Sequence, residues 1–200
     1  MYCVLLAGAP ATGKSTMARF LARELGLPMA SKDEIKELLY DGIGFASREE
    51  KVRLGVTAAQ ILRYFAEQML RRGQPFLLEN NFESVGREEL AALLQEYQCT
   101  AITVLLTCES HVLYERFCQR NAGPGRHRGH VVNDCYPEKQ PGHLAPLPDY
   151  EDFINGITAR GMLDFQVNGP RVKVDTTDFA KLDLRQVVSQ IRQYAQEEPI

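Results

Sequence analysis

The sequence contains no tryptophan and no CxxC pair, and its five cysteines (Cys3, Cys99, Cys108, Cys118 and Cys135) are an odd number. A disulfide framework is therefore not expected, and the thiols read as buried groups in a reducing compartment. No apolar run approaches the ~20 residues a membrane-spanning helix needs, so no membrane partner is expected. Tyr2–Ala9 is apolar enough for a secretory signal core. It lacks the basic leader such a signal carries, and a glycine-rich loop follows at once, so it reads as a first core strand of a cytoplasmic protein. Charge excess is small: 23 Lys and Arg stand against 26 Asp and Glu, a net charge of −3. The surface as a whole is thus no magnet for nucleic acid, although a local basic patch remains open. Internal repeats and low-complexity tracts are missing, as are the dinucleotide-binding G-x-G-x-x-G and the GTPase base-recognition motif N-K-x-D. Pro10 stands where the second glycine of G-x-G-x-x-G would be.

What is present suits one α/β domain spanning residues 1–200. The chain is 44% hydrophobic, enough for a single well-buried core. Strand and helix patterns alternate, which argues for a mostly parallel sheet. Strands are expected at Tyr2–Ala7, Pro28–Ser31, Pro75–Glu79, Thr100–Thr107 and Pro170–Asp175. Helices are expected at Lys14–Leu25, Asp33–Tyr40, from Ser47 to about Arg72, and at Arg87–Tyr97, Ser110–Asn121, Asp149–Arg160 and Leu182–Gln196. In the long helix Ala58, Ile61, Leu62, Phe65 and Met69 form the expected apolar face. Asn121–Pro148 breaks the pattern with four glycines, five prolines and three of the four histidines. A loop of that length within a compact domain is usually functional or disordered.

Gly8-Ala9-Pro10-Ala11-Thr12-Gly13-Lys14-Ser15 matches G-x-x-x-x-G-K-[ST] in full, between an apolar strand and a helix. The glycines let the backbone curl so that successive N–H groups point at phosphate oxygens. The helix N-terminus, with Thr16 in its first turn, adds partial positive charge. Lys14 can reach the β- and γ-phosphates, and the Ser15 hydroxyl can ligate Mg²⁺. The ligand expected from this loop is a nucleoside triphosphate with Mg²⁺.

Acids and arginines complete the pattern. Asp33 follows the second strand, where a carboxylate can take the proton of an attacking hydroxyl, and Lys36 one turn on can hold an anionic acceptor. The bland alternative makes Asp33 a cap or first-turn acid. Glu79 ends the third strand, in the place of an acid that orients the Mg²⁺ shell; Asn80 and Asn81 beside it are candidates for acceptor contacts. Arg116, Arg120, Arg126 and Arg128 cluster around the Gly/Pro-rich stretch and suit a lid at about 121–148 that neutralises charge on a transferred phosphoryl group. Arg120 and Arg126 are the strongest candidates. A solvated basic surface is the alternative. His127, His130, His143 and Cys135 could ligate zinc, but their spacing fits no standard site. Val174–Asp178 ends the last strand and can either contact the nucleotide base or form a strand exit and helix cap.

Gly8–Thr16, Ser31–Lys36, Phe76–Phe82, Arg116–His130 and Val174–Thr177 together resemble the AAA_33-type P-loop kinases. That group includes chloramphenicol phosphotransferase-like, zeta-toxin-like and polynucleotide-kinase-like proteins. The resemblance spans nearly the whole chain, with Arg128 in the place of the usual proline of an R-H-P-G-H-like lid segment. It implies a P-loop NTPase fold, three-layer α/β/α with a five-stranded sheet and a lid, and ATP as the donor. It also implies Asp33 as the hydroxyl-activating base and a nucleotide contact for Arg116. It does not fix the acceptor. A kinase of a small hydroxylated molecule comes first, a polynucleotide 5′-hydroxyl kinase second, and a nucleotide-binding regulatory module without phosphotransfer third.

Overall fold

The computed structural model describes residues 1–140 and 144–196. Its sheet contains five strands, β1 (Tyr2–Gly8), β2 (Met29–Ser31), β3 (Phe76–Glu79), β4 (Thr100–Thr107) and β5 (Arg171–Asp175), in the order β2-β3-β1-β4-β5. Every neighbouring pair is parallel, so each connection must cross a face of the sheet through a helix. Eight helices are described: α1 (Lys14–Leu25), α2 (Lys32–Ile43), α3 (Arg48–Arg71), α4 (Arg87–Glu96), α5 (Ser110–Ala122), α6 (Arg128–Val131), α7 (Tyr150–Ala159) and α8 (Leu184–Gln196).

Alternation along β1 makes the three layers. Cys3, Leu5 and Ala7 pack with Leu62, Ala66 and Leu70 of α3 and with Leu93 and Leu94 of α4. Val4 and Leu6 pack on the other face with Met17, Ala18 and Leu21 of α1 and Val187, Val188 and Ile191 of α8. A strand buried on both faces reads as the continuous apolar run seen here. The order reverses at β1, and open α/β sheets bind ligands beyond the carboxyl ends of the strands at such a point.

Several boundaries differ from the sequence expectation. Strands β2, β3 and β5 each begin one residue after the proline assigned to them, because proline has no N–H to give the ladder; the Pro28 carbonyl still accepts from Leu77 N at 2.9 Å. Helix α2 runs through Asp41-Gly42 and stops at Gly44, whose φ is 73°. A Cβ on Gly44 would lie 2.5 Å from the Tyr136 carbonyl oxygen, so a close backbone approach ends this helix. The buried stripe of α3 is Ala58, Leu62, Ala66 and Leu70, with Ile61 turned toward solvent. The Gly/Pro-rich stretch is not wholly irregular, since it contains α6 and an antiparallel bridge from Tyr136 to Phe45. A 3-10 turn, Phe179–Lys181, precedes the last helix, which starts at Leu184 rather than Leu182. Among the described residues no helix is long and apolar enough to cross a membrane.

Lys51 on α3 fastens the α6 stretch to the body. Its buried ammonium donates to the carbonyls of His130 and Val132 and to Asn133 Oδ1. Removing the donor takes the partner from the His130 and Val132 carbonyls, while Asn133 Oδ1 keeps Arg48, so Lys51→Met should cost about 1–3 kcal/mol. The expected result is a lower Tm and faster protease cleavage within residues 121–140; unchanged cleavage there would refute the tether.

Candidate active site at the phosphate loop

The loop after β1 has the strained backbone a phosphate cradle needs. Gly8 has φ 144°, and a Cβ there would sit 2.7 Å from the Leu106 carbonyl oxygen; Gly13 has φ 89°. Ala11 holds φ 70° without being glycine, a conformation that costs on the order of 1 kcal/mol and clusters at ligand clamps. Ala9, Leu113 of α5 and Phe153 and Ile157 of α7 share one apolar cluster, which anchors the loop from behind. Thr12 Oγ1 and Lys14 Nζ both donate to the Ala9 carbonyl, at 2.9 and 2.7 Å. Gly13 caps α1 with no side-chain acceptor, and the first turn has no acid. The N-terminal donors are thus left for an anion from outside.

A cavity of about 530 Å³ lies over this loop. Pro10, Ala11, Gly13, Lys14, Ser15 and Thr16 face it, while Gly8, Ala9 and Thr12 are buried beneath. Asp33, Glu79, Arg120 and Arg126 complete its walls. Asp33 lies in the first turn of α2, but the N-cap is Ser31, whose hydroxyl accepts from Glu34 N at 3.4 Å. The Asp33 carboxylate is therefore not spent on capping. Ser31 also donates to Glu79, its register partner across β2 and β3. Asn81 lines the same cavity, and Asn80 a neighbouring one.

Charges in the site are strongly coupled. Burial pushes the Lys14 ammonium down to about 8, with Glu79 and Asp33 working against it. Burial alone would raise Asp33, but His130, Arg126, Lys36 and Lys14 together hold it below its ordinary value. Burial raises Glu79, offset in part by Lys14 and by the Ser31 hydrogen bond. Burial, with Asp33 opposing, takes His130 down to about 3. The imidazole is thus neutral at pH 7, where Arg126, Lys36 and Lys14 are the cations beside Asp33. Burial and then Arg126 lower Arg120 to about 10. Two arginines crowd together, and the Nε atoms of both are buried with no partner among the described residues. Buried donors left open are costly, and a polyanion in the cavity would satisfy both. The loop, the uncapped helix start and this arginine pair fit a triphosphate, and Ser15 and Glu79 supply the hard oxygen donors that suit Mg²⁺.

The other two arginines point elsewhere. Arg116 donates to the carbonyls of Thr176 and Thr177 at 2.7 and 2.8 Å and stacks 4.1 Å over the Phe179 ring. Phe179 in turn packs on Gly13, where a Cβ would meet its Cε1 at 2.9 Å. Arg128 pairs with Glu138. Among the histidines, His127 contacts Asp41 at 3.0 Å and His130 contacts Glu37 at 2.9 Å. No cluster of three or more metal-ligating side chains occurs among the described residues, and His143 lies outside them. The Val174–Asp178 stretch forms a bonded strand exit: Thr176 Oγ1 donates to Thr107 O, and Thr177 Oγ1 to Asp175. Sequence reasoning missed Phe179, Arg48, Lys51 and Arg160 as neighbours of the site. None belongs to a motif, and only the fold assembles them.

The parallel five-stranded sheet, the uncapped phosphate loop and the acidic and basic groups over it define a P-loop protein with a kinase-like fold. The chain belongs to the AAA_33 family, described as an AAA domain, whose model matches residues 3–134. It is similar to a solved structure named a "putative kinase" from Chloroflexus aurantiacus j-10-fl, with 31% identity, a TM-score of 0.77 and 98% of each chain covered. A sugar kinase from Janibacter sp. HTCC2649 shares the fold at 17% identity and a TM-score of 0.53, covering 100% of this chain and 96% of that one. A gluconokinase from Sinorhizobium meliloti 1021 does so at 15% and 0.50, covering 97% and 94%. No curated protein matches.

Proposed function

We propose that the protein is an ATP- and Mg²⁺-dependent phosphotransferase acting on a hydroxyl of a small molecule. One observation carries this reading: Asp33, free of capping duty, shares a cavity with Lys14, Ser15 and Glu79 and with Arg120 and Arg126, whose buried Nε atoms lack partners among the described residues. The kinase names of the similar structures agree with it. Magnesium triphosphate supplies the γ-phosphoryl group: a bond to the acceptor oxygen forms, the β–γ bridge breaks, and the diphosphate leaves with the electron pair.

Asp33 orients the hydroxyl and takes its proton, and its depressed pKa keeps it ionised for that task. Lys14 and the loop amides hold the donor, while Ser15 and Glu79 offer oxygens to the cation. Arg120 and Arg126 neutralise charge that grows on the transferred group. Arg116 and Phe179, the latter packed on Gly13, are outside the lining of this cavity and serve the nucleoside end. The small-molecule acceptor is favoured over a nucleic-acid end because Tyr40 and Phe45, the aromatic residues nearest Asp33 in sequence, are buried at 0% and 5% exposure. They cannot serve as stacking platforms.

γ-labelled ATP with Mg²⁺ and a panel of sugars, hydroxy acids and oligonucleotides tests the reading. Label should appear on a small hydroxylated compound and vanish with Asp33→Ala while ATP still binds. Label on oligonucleotide 5′-ends alone would give the acceptor to nucleic acid, and a wild-type protein that binds no ATP would end the proposal.

Lys14 gives a pH signature. The ammonium must be charged to attract phosphate, and in the free protein it loses its proton near pH 8. ATP affinity should fall as pH rises through 8, and the bound anion should move that limb upward. Titrations of Kd against pH should show the fall in the wild type and its absence in Lys14→Ala; identical profiles would contradict the assignment.

A further inference from the structure

A second cavity, of about 850 Å³, opens beside the first. Lys36, Arg48, Lys51 and Arg160 line both, so one ligand can extend from one into the other. Helix α3 forms one wall with Val52, Gly55, Val56 and Ala59, and the stretch after β3 forms another with Phe82, Val85 and Leu90. Val52, Val56 and Val85 are 49%, 54% and 86% exposed, so the groove leaves bare apolar side chains within reach of the reacting site. A cavity of this size suits a drug-sized ligand, and an apolar groove with a few convergent polar groups is the usual form of such a site.

The charge of this groove is unbalanced. Its two carboxylates already have partners: Glu83 pairs with Arg160 at 3.6 Å and Glu89 with Arg63 at 3.4 Å. Lys51 is engaged by carbonyls. Lys36 and Arg48, at the junction of the two cavities, form no ion pair among the described residues; Arg48 reaches only the Asn133 amide oxygen at 3.3 Å. Lys36 is one turn from Asp33 on the same face of α2. The charge of the donor phosphates is met by Lys14, Arg120 and Arg126, and Lys36 shares the Asp33 charge, so Arg48 is positive charge left over and Lys36 is a second cation beside it for the acceptor.

We infer that the acceptor is an anionic hydroxy compound with an apolar body. Its hydroxyl lies at Asp33, its acidic group between Lys36 and Arg48, and its apolar part along the groove between α3 and the stretch after β3. This rests on the phosphotransferase reading above. A small neutral sugar would leave both the cations and the bare valines without a counterpart.

The test uses a probe with this chemistry and no hydroxyl, anilinonaphthalene sulfonate, and its uncharged relative phenylnaphthylamine, each titrated by fluorescence into the full chain with Mg²⁺ and ATP present. The wild type should bind one sulfonate probe. Arg48→Ala should weaken that probe about tenfold, the worth of one charge-assisted contact, and leave the neutral probe unmoved. Val56→Glu should weaken both. Arg48 and Val56 are exposed, so folding is not at stake, and an unchanged melting curve confirms it. The inference is overturned if the sulfonate probe does not bind, if neither substitution changes its affinity, or if label from γ-labelled ATP reaches neutral sugars as readily as the corresponding sugar acids, sugar phosphates and apolar hydroxy acids. In the last case the phosphotransferase reading survives. Failure of the wild type to bind ATP would instead remove that reading while leaving the probe result in place.

Discussion

Asp33→Asn is expected to lower kcat by about a thousandfold, the middle of the range for a positioned general base, with little change in ATP affinity. The amide keeps the shape of the carboxylate and can still contact the hydroxyl, but it cannot take the proton. It also removes a negative charge that Lys14, Lys36 and Arg126 now share. Burial depresses all three cations and Asp33 works against it, so loss of Asp33 should lower their pKa values further. The alkaline limb of ATP binding should accordingly shift to lower pH in this variant. Single-turnover rates with labelled ATP separate chemistry from binding; a full-speed Asp33→Asn enzyme would make Asp33 a first-turn acid and nothing more.

Arg126→Ala carries the second large effect, a loss of about 10³-fold in kcat, the lower end of what a charge-neutralising arginine contributes to phosphoryl transfer. Arg120→Ala should behave alike, and the double variant should lose less than the product of the two, because both act on one developing charge. Lysine should rescue neither, since the planar fork cannot be copied by a point charge. Stability should move the other way. Arg120 is desolvated with Arg126 as its strongest charge contact and an Nε open among the described residues, so removing it relieves repulsion and an unmet donor, whereas Arg126 has Asp33 and Glu37 as its charge contacts. Ligand-free Arg120→Ala should therefore melt at or above the wild-type temperature. A variant that is inactive and also markedly unstable would mean that the arginines hold the fold instead.

The fold was readable in the sequence because its determinants are local. An apolar strand running into G-x-x-x-x-G-K-S leaves few options for residues 2–25, and the alternation of strand and helix patterns sets the rest. The strand order, in contrast, follows from packing between distant segments. The same holds for the site. Lys14, Ser15, Asp33 and Glu79 sit at ends of strands or starts of helices, where a motif can point to them, and the structure gathers all four. Arg116 matched the same pattern of spaced arginines as Arg120, yet it turns to the carbonyls of Thr176 and Thr177, a contact across 60 residues that spacing cannot reveal. Lys51 and Arg48 look like ordinary charges on an exposed helix. Their surroundings come from the α6 stretch some 80 residues away.

The bond between Ser31 and Glu79 bears on which cation the site would accept. Glu79 Oε2 accepts the hydrogen bond of the Ser31 hydroxyl, leaving Oε1 as the oxygen not committed to it. A cation at this place would meet a monodentate carboxylate. Calcium favours high coordination numbers, often completed by bidentate carboxylates, whereas magnesium is content with one or two single oxygens and keeps several waters. On the proposed reading, denticity set by a serine on the neighbouring strand would incline a bound cation toward the smaller ion.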